Sequence, residues 1–267
     1  MILLLVFLCQ QAIANEDYYT LVDSAELYIK NNQWERAEEF LLKILRTYPD
    51  DHNNSLVLSN LATVQRYQGK YSEAINNYTF AINMTPNAVT LLKNRASLYL
   101  ELDSVVKALD DYERIILIDE KDEESRYYHG ILSLRTGDLD TAKNDFDYIL
   151  FYNPNSGLGK EGIAHWYKRR KDYIEAVTHF SDIIKQYPNA IYLSNRAECY
   201  LALKRLNEAE KDIRKAIEMS PEDGYLYVLR AKLHKTRFEK TAMERDIQLA
   251  VKYGIDRELA ESIINSK

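Results

Sequence analysis

Small residues recur along this chain on a spacing that leaves it few folds to adopt. Pro49, Pro86, Pro154, Pro188 and Pro221 are separated by 37, 68, 34 and 33 residues, and the 68 is two periods of 34 with Glu120 at the missing position. Twelve residues before each anchor stand Ala37, Ala74, Ala108, Ala142, Ala176 and Ala209, and twelve further back stand Ala25, Ala62, Ala96, Gly130, Ala164 and Ala197. A seventh copy carries Ala231, Met243 and Ala250. A period of this length marks stacked units, none of which can bury its apolar face alone. Each unit reads as two amphipathic helices joined by a tight turn. The small residues mark the close approaches, where a large side chain would overpack the contact at a cost of ~1–3 kcal/mol. Four residues past the second small position come Leu41, Tyr78, Tyr112, Phe146, Phe180, Ile213 and Ile247, as one helix face requires. Each proline stops its second helix. Few glycines (8) and prolines (5), with 46% hydrophobic and 28% charged residues, fit a folded all-α chain.

In the second copy the pattern reads Leu58, Leu61-Ala62, Gly69, Tyr71, Ala74, Tyr78, Ala81, Pro86. It resembles the tetratricopeptide repeat, over residues 17–253. Departures are local: Gln65 and Ser133 replace the usual aromatic after the first small position, and Glu120 replaces proline. The resemblance implies an all-α, right-handed superhelical α-solenoid of seven helix-turn-helix repeats. They fall at about 17–52, 53–87, 88–121, 122–155, 156–189, 190–222 and 223–254, with a C-terminal capping helix at 255–267. Gly254 closes the last repeat, and Asp256 caps a short helix with Leu259, Ile263 and Ile264 on one face. Arg257, Glu258, Glu261 and Lys267 give its outer side solubility.

The chain opens on an apolar run, Ile2 to Leu8, followed by Ala12-Ile13-Ala14. That predicts a secretory signal over 1–14 cut before Asn15, and an exported protein of the periplasm or cell envelope. The run lacks a basic flank and is too short to span a membrane. Leu8 stands where a lipidation signal at Cys9 would carry a small residue. Cys199 remains as the only cysteine of the mature chain, so no internal disulfide forms.

Charge and motifs narrow the function classes. A net charge of −6 and a pI near 5.5 argue against nucleic acid as a partner. The basic run Lys168-Arg169-Arg170-Lys171 reads as a solvated helix end that complements the helix dipole. There is no H-E-x-x-H, no cysteine pair, no G-x-S-x-G and no phosphate loop, so neither an enzyme, a metal nor a cofactor is expected. His52, His129, His165, His179 and His234 fall at different repeat positions without metal-ligand spacing. The acidic stretch Asp119-Glu120, Asp122-Glu123-Glu124 reads as solvation and a helix N-terminus.

The family resemblance implies that a protein or extended peptide lies along the concave wall formed by the first helix of each repeat. Mapped onto this chain, the family's groove positions are Asn60, Lys93, Asn94, Tyr127, Tyr128, Glu161, His165, Lys168, Arg169 and Asn195. Asn60, Asn94 and Asn195 share one repeat position. An amide there either holds a peptide backbone or bonds a neighbouring helix, and both readings stand. The family's carboxylate clamp for chaperone C-terminal tails is not matched. In register it would fall on Val22, Glu26, Asn60, Thr90 and Asn94, of which only Asn60 fits, and a start one repeat later fails too. The expectation is a non-catalytic binding scaffold that is not a receptor for those tails. The alternative is an accessory subunit of an envelope enzyme or transport complex that contacts its partners through the convex face.

Overall fold

The structure, a computed structural model, describes residues 17–266. The expected signal, Cys9 and Lys267 lie outside them. Among the described residues there are fifteen helices and no strand. Two compact units divide between Ser125 and Arg126. The first holds α1 (Tyr18–Lys30), α2 (Trp34–Thr47), α3 (Asn54–Tyr67), α4 (Tyr71–Met84), α5 (Val89–Glu101) and α6 (Val105–Ile118). The division falls in the first turn of α7 (Glu123–Thr136). The second unit continues with α8 (Leu139–Tyr152), α9 (Gly157–Arg169), α10 (Tyr173–Gln186), α11 (Ala190–Ala202) and α12 (Leu206–Met219). It ends with α13 (Gly224–Thr236), α14 (Lys240–Lys252) and α15 (Arg257–Asn265).

Consecutive helices pair as hairpins, and one turn geometry makes all seven pairs. Asn32, Gly69, Asp103, Gly137, Lys171, Lys204 and Phe238 each take a left-handed backbone conformation after a first helix. The next amide then bonds back into that helix, as Gln33 N–H to Tyr28 O, Ser104 N–H to Tyr99 O and Asp172 N–H to Tyr167 O, at 2.7–3.0 Å. This six-to-one bond satisfies a terminal carbonyl and reverses the chain.

The expected small positions are the close approaches. Ala37, Ala62, Ala74, Ala96, Ala108, Ala142, Ala164, Ala176, Ala197, Ala209, Ala231 and Ala250 are all fully buried. In the first unit Leu21, Leu41, Ile44 and Val64 close one cluster, and Tyr78 and Leu98 another. In the second, Phe146, Ile149 and Trp166 form one cluster, Phe180, Ile213 and Leu233 the next, and Ile247, Ala260 and Ile264 the last. Phe146 is one of these wedges, and it explains two glycines. A Cβ on Gly130 of α7 would stand 2.6 Å from its ring, and one on Gly162 of α9 would stand 2.1 Å away.

A polar brace accompanies this core. Asp111, Asp212 and Asp246 are buried, and each accepts two hydrogen bonds from one guanidinium of its own hairpin: Arg95 at 2.6 and 2.9 Å, Arg196 at 2.7 and 2.7 Å, Arg230 at 2.7 and 2.8 Å. Arg95 also donates to Thr79 of α4 and Arg196 to Ser181 of α10, so the brace reaches the preceding hairpin. In the fourth copy Asp145 takes Arg126 (3.2 Å) and His129 (2.6 Å) instead. The pairs stand sixteen residues apart at one repeat position, and their two-pronged geometry is the strong form of such a contact.

At the end of the chain Gly254 (φ 91°) closes α14, and Asp256 Oδ1 accepts from Leu259 N–H at 3.0 Å. The buried face of α15 differs from the expected one: Ala260 and Ile264 are buried, Ile263 half-buried, and Leu259 exposed. The helix turns its smallest side chain inward, which permits close approach to its neighbours.

Candidate binding site

The first helices of the second unit carry a ladder of polar contacts with Glu161 at its centre. Glu161 of α9 accepts from the Tyr127 hydroxyl of α7 at 2.9 Å and from the Tyr192 hydroxyl of α11 at 2.7 Å. His165, one turn along, stands 3.7 Å from the same carboxylate, its ring edge-on to Phe180. Burial by itself would raise the Glu161 pKa, but hydrogen bonds from His165, Tyr192 and Tyr127 outweigh it and hold the carboxyl below the usual range. Burial, with the carboxylate beside them, pushes both phenols up, Tyr192 to about 12. Both therefore stay protonated and donate. The next rung repeats the device: Glu198 accepts from the Tyr225 hydroxyl at 2.8 Å and from Lys168 at 2.7 Å.

Beside this ladder lies a cleft of about 510 Å³. Tyr127, Ile131 and Leu134 of α7 and Tyr173 of α10 give it an apolar floor. Arg135 of α7, Lys168 and Arg169 of α9, and Lys171 in the turn that follows give it a basic rim, and His165 completes the wall. Among the described residues no carboxylate lines it. Lys168 is neutralised by Glu198, whereas Arg169 donates to the Leu134 carbonyl at 3.1 Å, a contact that leaves its charge uncompensated. Such a surface accepts an apolar side chain next to an anionic group.

The residues expected to line a groove divide accordingly. Tyr127, Glu161, His165, Lys168, Arg169 and Asn195 come together in the second unit, with Tyr128 beside Tyr127, ring to ring at 5.6 Å. Asn195 is occupied on both sides of its amide: Nδ2 donates to Ile191 O at 2.9 Å and Oδ1 accepts from Lys168 at 2.6 Å. For that residue the neighbour-bonding reading describes the structure. In the first unit Asn60 and Asn94 are half-buried and have no side-chain hydrogen bond among the described residues. Lys93 there is held by Asp122 at 2.8 Å and Glu124 at 2.9 Å. Asp122 also caps α7 by accepting from Ser125 N–H.

Sequence reasoning missed Ile131, Leu134, Arg135, Lys171 and Tyr173. The signal was the run Lys168-Arg169-Arg170-Lys171. It does end a helix, but only Arg170 turns away, over the Trp166 ring at 4.5 Å and onto Asp172 at 3.1 Å. The other three line the cleft. Cys199 is fully buried, and burial pushes its thiol up to about 12, so it is no nucleophile. No group of three or more His, Cys, Asp or Glu side chains among the described residues could hold a metal ion.

Comparison with known proteins agrees with this architecture. Sequence models described as tetratricopeptide repeat match residues 18–87, 59–124 and 190–223. The crystal structure of a tetratricopeptide repeat protein from Parabacteroides merdae is 32% identical, with a TM-score of 0.84 over 92% of this chain and 97% of that one. The chain belongs to the tetratricopeptide repeat family. Its curated relatives include the Hsp70-Hsp90 organizing protein 2 of Arabidopsis thaliana, 28% identical over 64% of this chain and 31% of that protein. The Hsp70-Hsp90 organizing protein of Triticum aestivum is 26% identical over 84% of this chain and 39% of its own length. This tetratricopeptide repeat protein therefore spans only about a third of the length of those relatives. It has the fold of a protein-binding scaffold. No helix among the described residues is long and apolar enough to cross a membrane.

Proposed function

We propose that this tetratricopeptide repeat protein is a non-catalytic scaffold that holds an extended segment of a partner protein along its first helices, anchored in the cleft of the second unit. The observation that carries this reading is the combination of an apolar floor with Arg169 and Lys171, which have no carboxylate partner among the described residues, in a chain whose net charge is negative. The Tyr127–Glu161–Tyr192 ladder supports it by fixing the wall before a ligand arrives, so that little ordering cost falls on binding. The test is panning a random peptide library on the full mature chain. Peptides with an acidic group beside a large apolar side chain should be enriched and should lose binding at least tenfold to Arg169→Glu/Lys171→Glu. Equal binding by that variant overturns the reading.

The proposal includes export to a cell envelope or secretory compartment, on the strength of the apolar run and the Ala12-Ile13-Ala14 site. A mature chain beginning at Asn15 supports it, and an intact Met1 on protein recovered from the native cell overturns it. It also excludes chaperone C-terminal tails as the ligand, because the clamp positions hold Val22, Glu26, Thr90 and Asn94. A second reading, an accessory subunit that docks through its second helices, is favoured by one feature. Phe151, 77% exposed, packs edge-on to Tyr152 at 5.1 Å on the end of α8. Cross-links confined to second-helix residues would favour it.

A further inference from the structure

Tyr67 ends α3 with a ring that is 64% exposed and yet not free. Trp34, at the start of α2, lies flat against it at 4.5 Å, with 9° between the two planes. Trp34 is itself packed against the core cluster of Leu21, Leu41 and Ile44, so the indole fixes the phenol ring from behind. Stacking covers one face of Tyr67. A cleft of about 510 Å³ lies against the same ring and is lined by Tyr67 but not by Trp34, which places it on the uncovered side.

Two features keep this cleft open and neutral. At its edge the hairpin turn holds Gly69, where a Cβ would meet nothing within 4 Å. The same turn position carries a side chain in Asn32, Asp103 and Lys171. The two charges that line the cleft, Arg66 of α3 and Glu101 of α5, cancel each other. Arg66 Nε donates to Glu101 Oε2 at 2.6 Å, and Arg66 Nη2 donates to Ser97 Oγ at 3.2 Å. Lys70, next along the turn, is taken up by Glu38 at 2.6 Å. The pair is therefore held in place while Arg66 Nη1 remains a donor and Glu101 Oε1 an acceptor, neither with a partner among the described residues.

The chemistry of these groups selects a class of ligand. An ion gains little where the charges already cancel. A proline-rich segment can cover a ring, but proline has no N–H, and Glu101 Oε1 would give up its water for nothing. A sugar hydroxyl both donates and accepts, so two neighbouring hydroxyls answer a carboxylate oxygen and a guanidinium N–H together. The C–H bonds on one face of a pyranose, polarised by the adjoining oxygens, suit the negative face of an aromatic ring. Ring and ion pair are both set before a ligand arrives, so binding carries little ordering cost.

We propose that the first unit carries a binding site for a neutral carbohydrate, with a pyranose ring seated on Tyr67 and neighbouring hydroxyls on Glu101 Oε1 and Arg66 Nη1. The site shares no residue with the cleft lined by α7 and α9 and owes nothing to the ligand proposed there. The test is retention of the full mature chain on an array of neutral oligosaccharides of glucose, galactose, mannose and N-acetylglucosamine, with calorimetric titration of a retained glycan. Tyr67→Ala removes the platform and should weaken binding at least tenfold, whereas Tyr67→Phe keeps the ring and should bind nearly as the wild type does. Gly69→Asn fills the cleft with a side chain that this turn already accepts at Asn32, so binding should fall at least tenfold while unfolding by urea is unchanged. Arg169→Glu/Lys171→Glu should leave glycan binding intact. An array on which no neutral glycan is retained overturns the proposal, as does a glycan whose affinity survives both Tyr67→Ala and Gly69→Asn. A proline-rich peptide that binds this cleft when no glycan does assigns it to a protein partner and overturns the proposal too.

Discussion

Alanine in place of Gly162 tests whether the glycines of the fourth and fifth copies are there for Phe146. In mid-helix, glycine to alanine ordinarily stabilises by ~0.5–1 kcal/mol, because glycine loses more backbone freedom on folding. At Gly162 the added Cβ would stand 2.1, 2.4 and 2.5 Å from three carbons of the Phe146 ring. The ring cannot swing aside: it is fully buried, and the Gly130 position closes its other flank, where a Cβ would meet it at 2.6 Å. Overpacking a closed core costs ~1–3 kcal/mol, and a 2.1 Å approach belongs at the upper end of that range. Subtracting the propensity gain leaves a net loss of about 2 kcal/mol. Urea unfolding followed by helical circular dichroism reads it, and hydrogen exchange should show the lost protection in α7 to α10 first, since repeat proteins unfold by neighbouring units. A double-mutant cycle with Phe146→Leu isolates the contact: alanine at 162 should be less harmful beside leucine, by a coupling of ~1 kcal/mol or more. A Gly162→Ala protein as stable as the wild type refutes the account, and a coupling near zero assigns the loss to something other than Phe146.

Three further outcomes follow from the same geometry. Arg95→Ala, which leaves the buried Asp111 carboxylate unpaired, should destabilise the first unit by ~3–5 kcal/mol, whereas the joint replacement Arg95→Met/Asp111→Leu should come much closer to neutral; urea midpoints separate the two. The Glu161 carboxyl lies below its ordinary 4.5 in the folded chain, so its contribution is complete above that pH and is lost as pH falls through the folded value. Wild-type stability should therefore fall more steeply below pH 4.5 than that of Glu161→Gln, and parallel acid titrations of the two would contradict this. Cys199, with its thiol raised to about 12, should resist a thiol reagent at pH 8 in the folded protein and react at once in urea.

The helical hairpins were legible because their determinants are local and repeated. A small residue every repeat, with a large one four positions on, states where helices meet without any knowledge of what meets them. The Arg–Asp braces were as legible in principle, since Arg95/Asp111, Arg196/Asp212 and Arg230/Asp246 keep one spacing. They stand at polar positions that an apolar periodicity passes over. The ladder around Glu161 was legible only in part, because family positions bring Tyr127, Glu161 and Asn195 to one face but do not say whether they face a ligand or one another. Tyr192 and Tyr225 reach their carboxylates from the next first helix, and that depends on the stagger between hairpins.

The cleft between α7 and α9 shows why its composition escaped notice. Arg169 and Lys171 belong to a four-residue basic run whose bland role at a helix end is also filled, so the sequence offered no surplus to explain. The left-handed turn at Lys171 decides the matter. It reverses the chain so that Lys171 and Tyr173 come back toward the side of α9 that carries His165 and Lys168, while Arg170 is carried outward onto Trp166. Phe238 stands at the same turn position two copies later and has no such wall to join. One backbone geometry thus serves three ends in this chain: it closes every hairpin, it turns a solvated basic run into the rim of a cleft, and in the last copy it holds out an aromatic ring. Substituting glycine at each of these two turns separates the roles. The hairpin persists in both, and peptide binding falls with Lys171→Gly but not with Phe238→Gly.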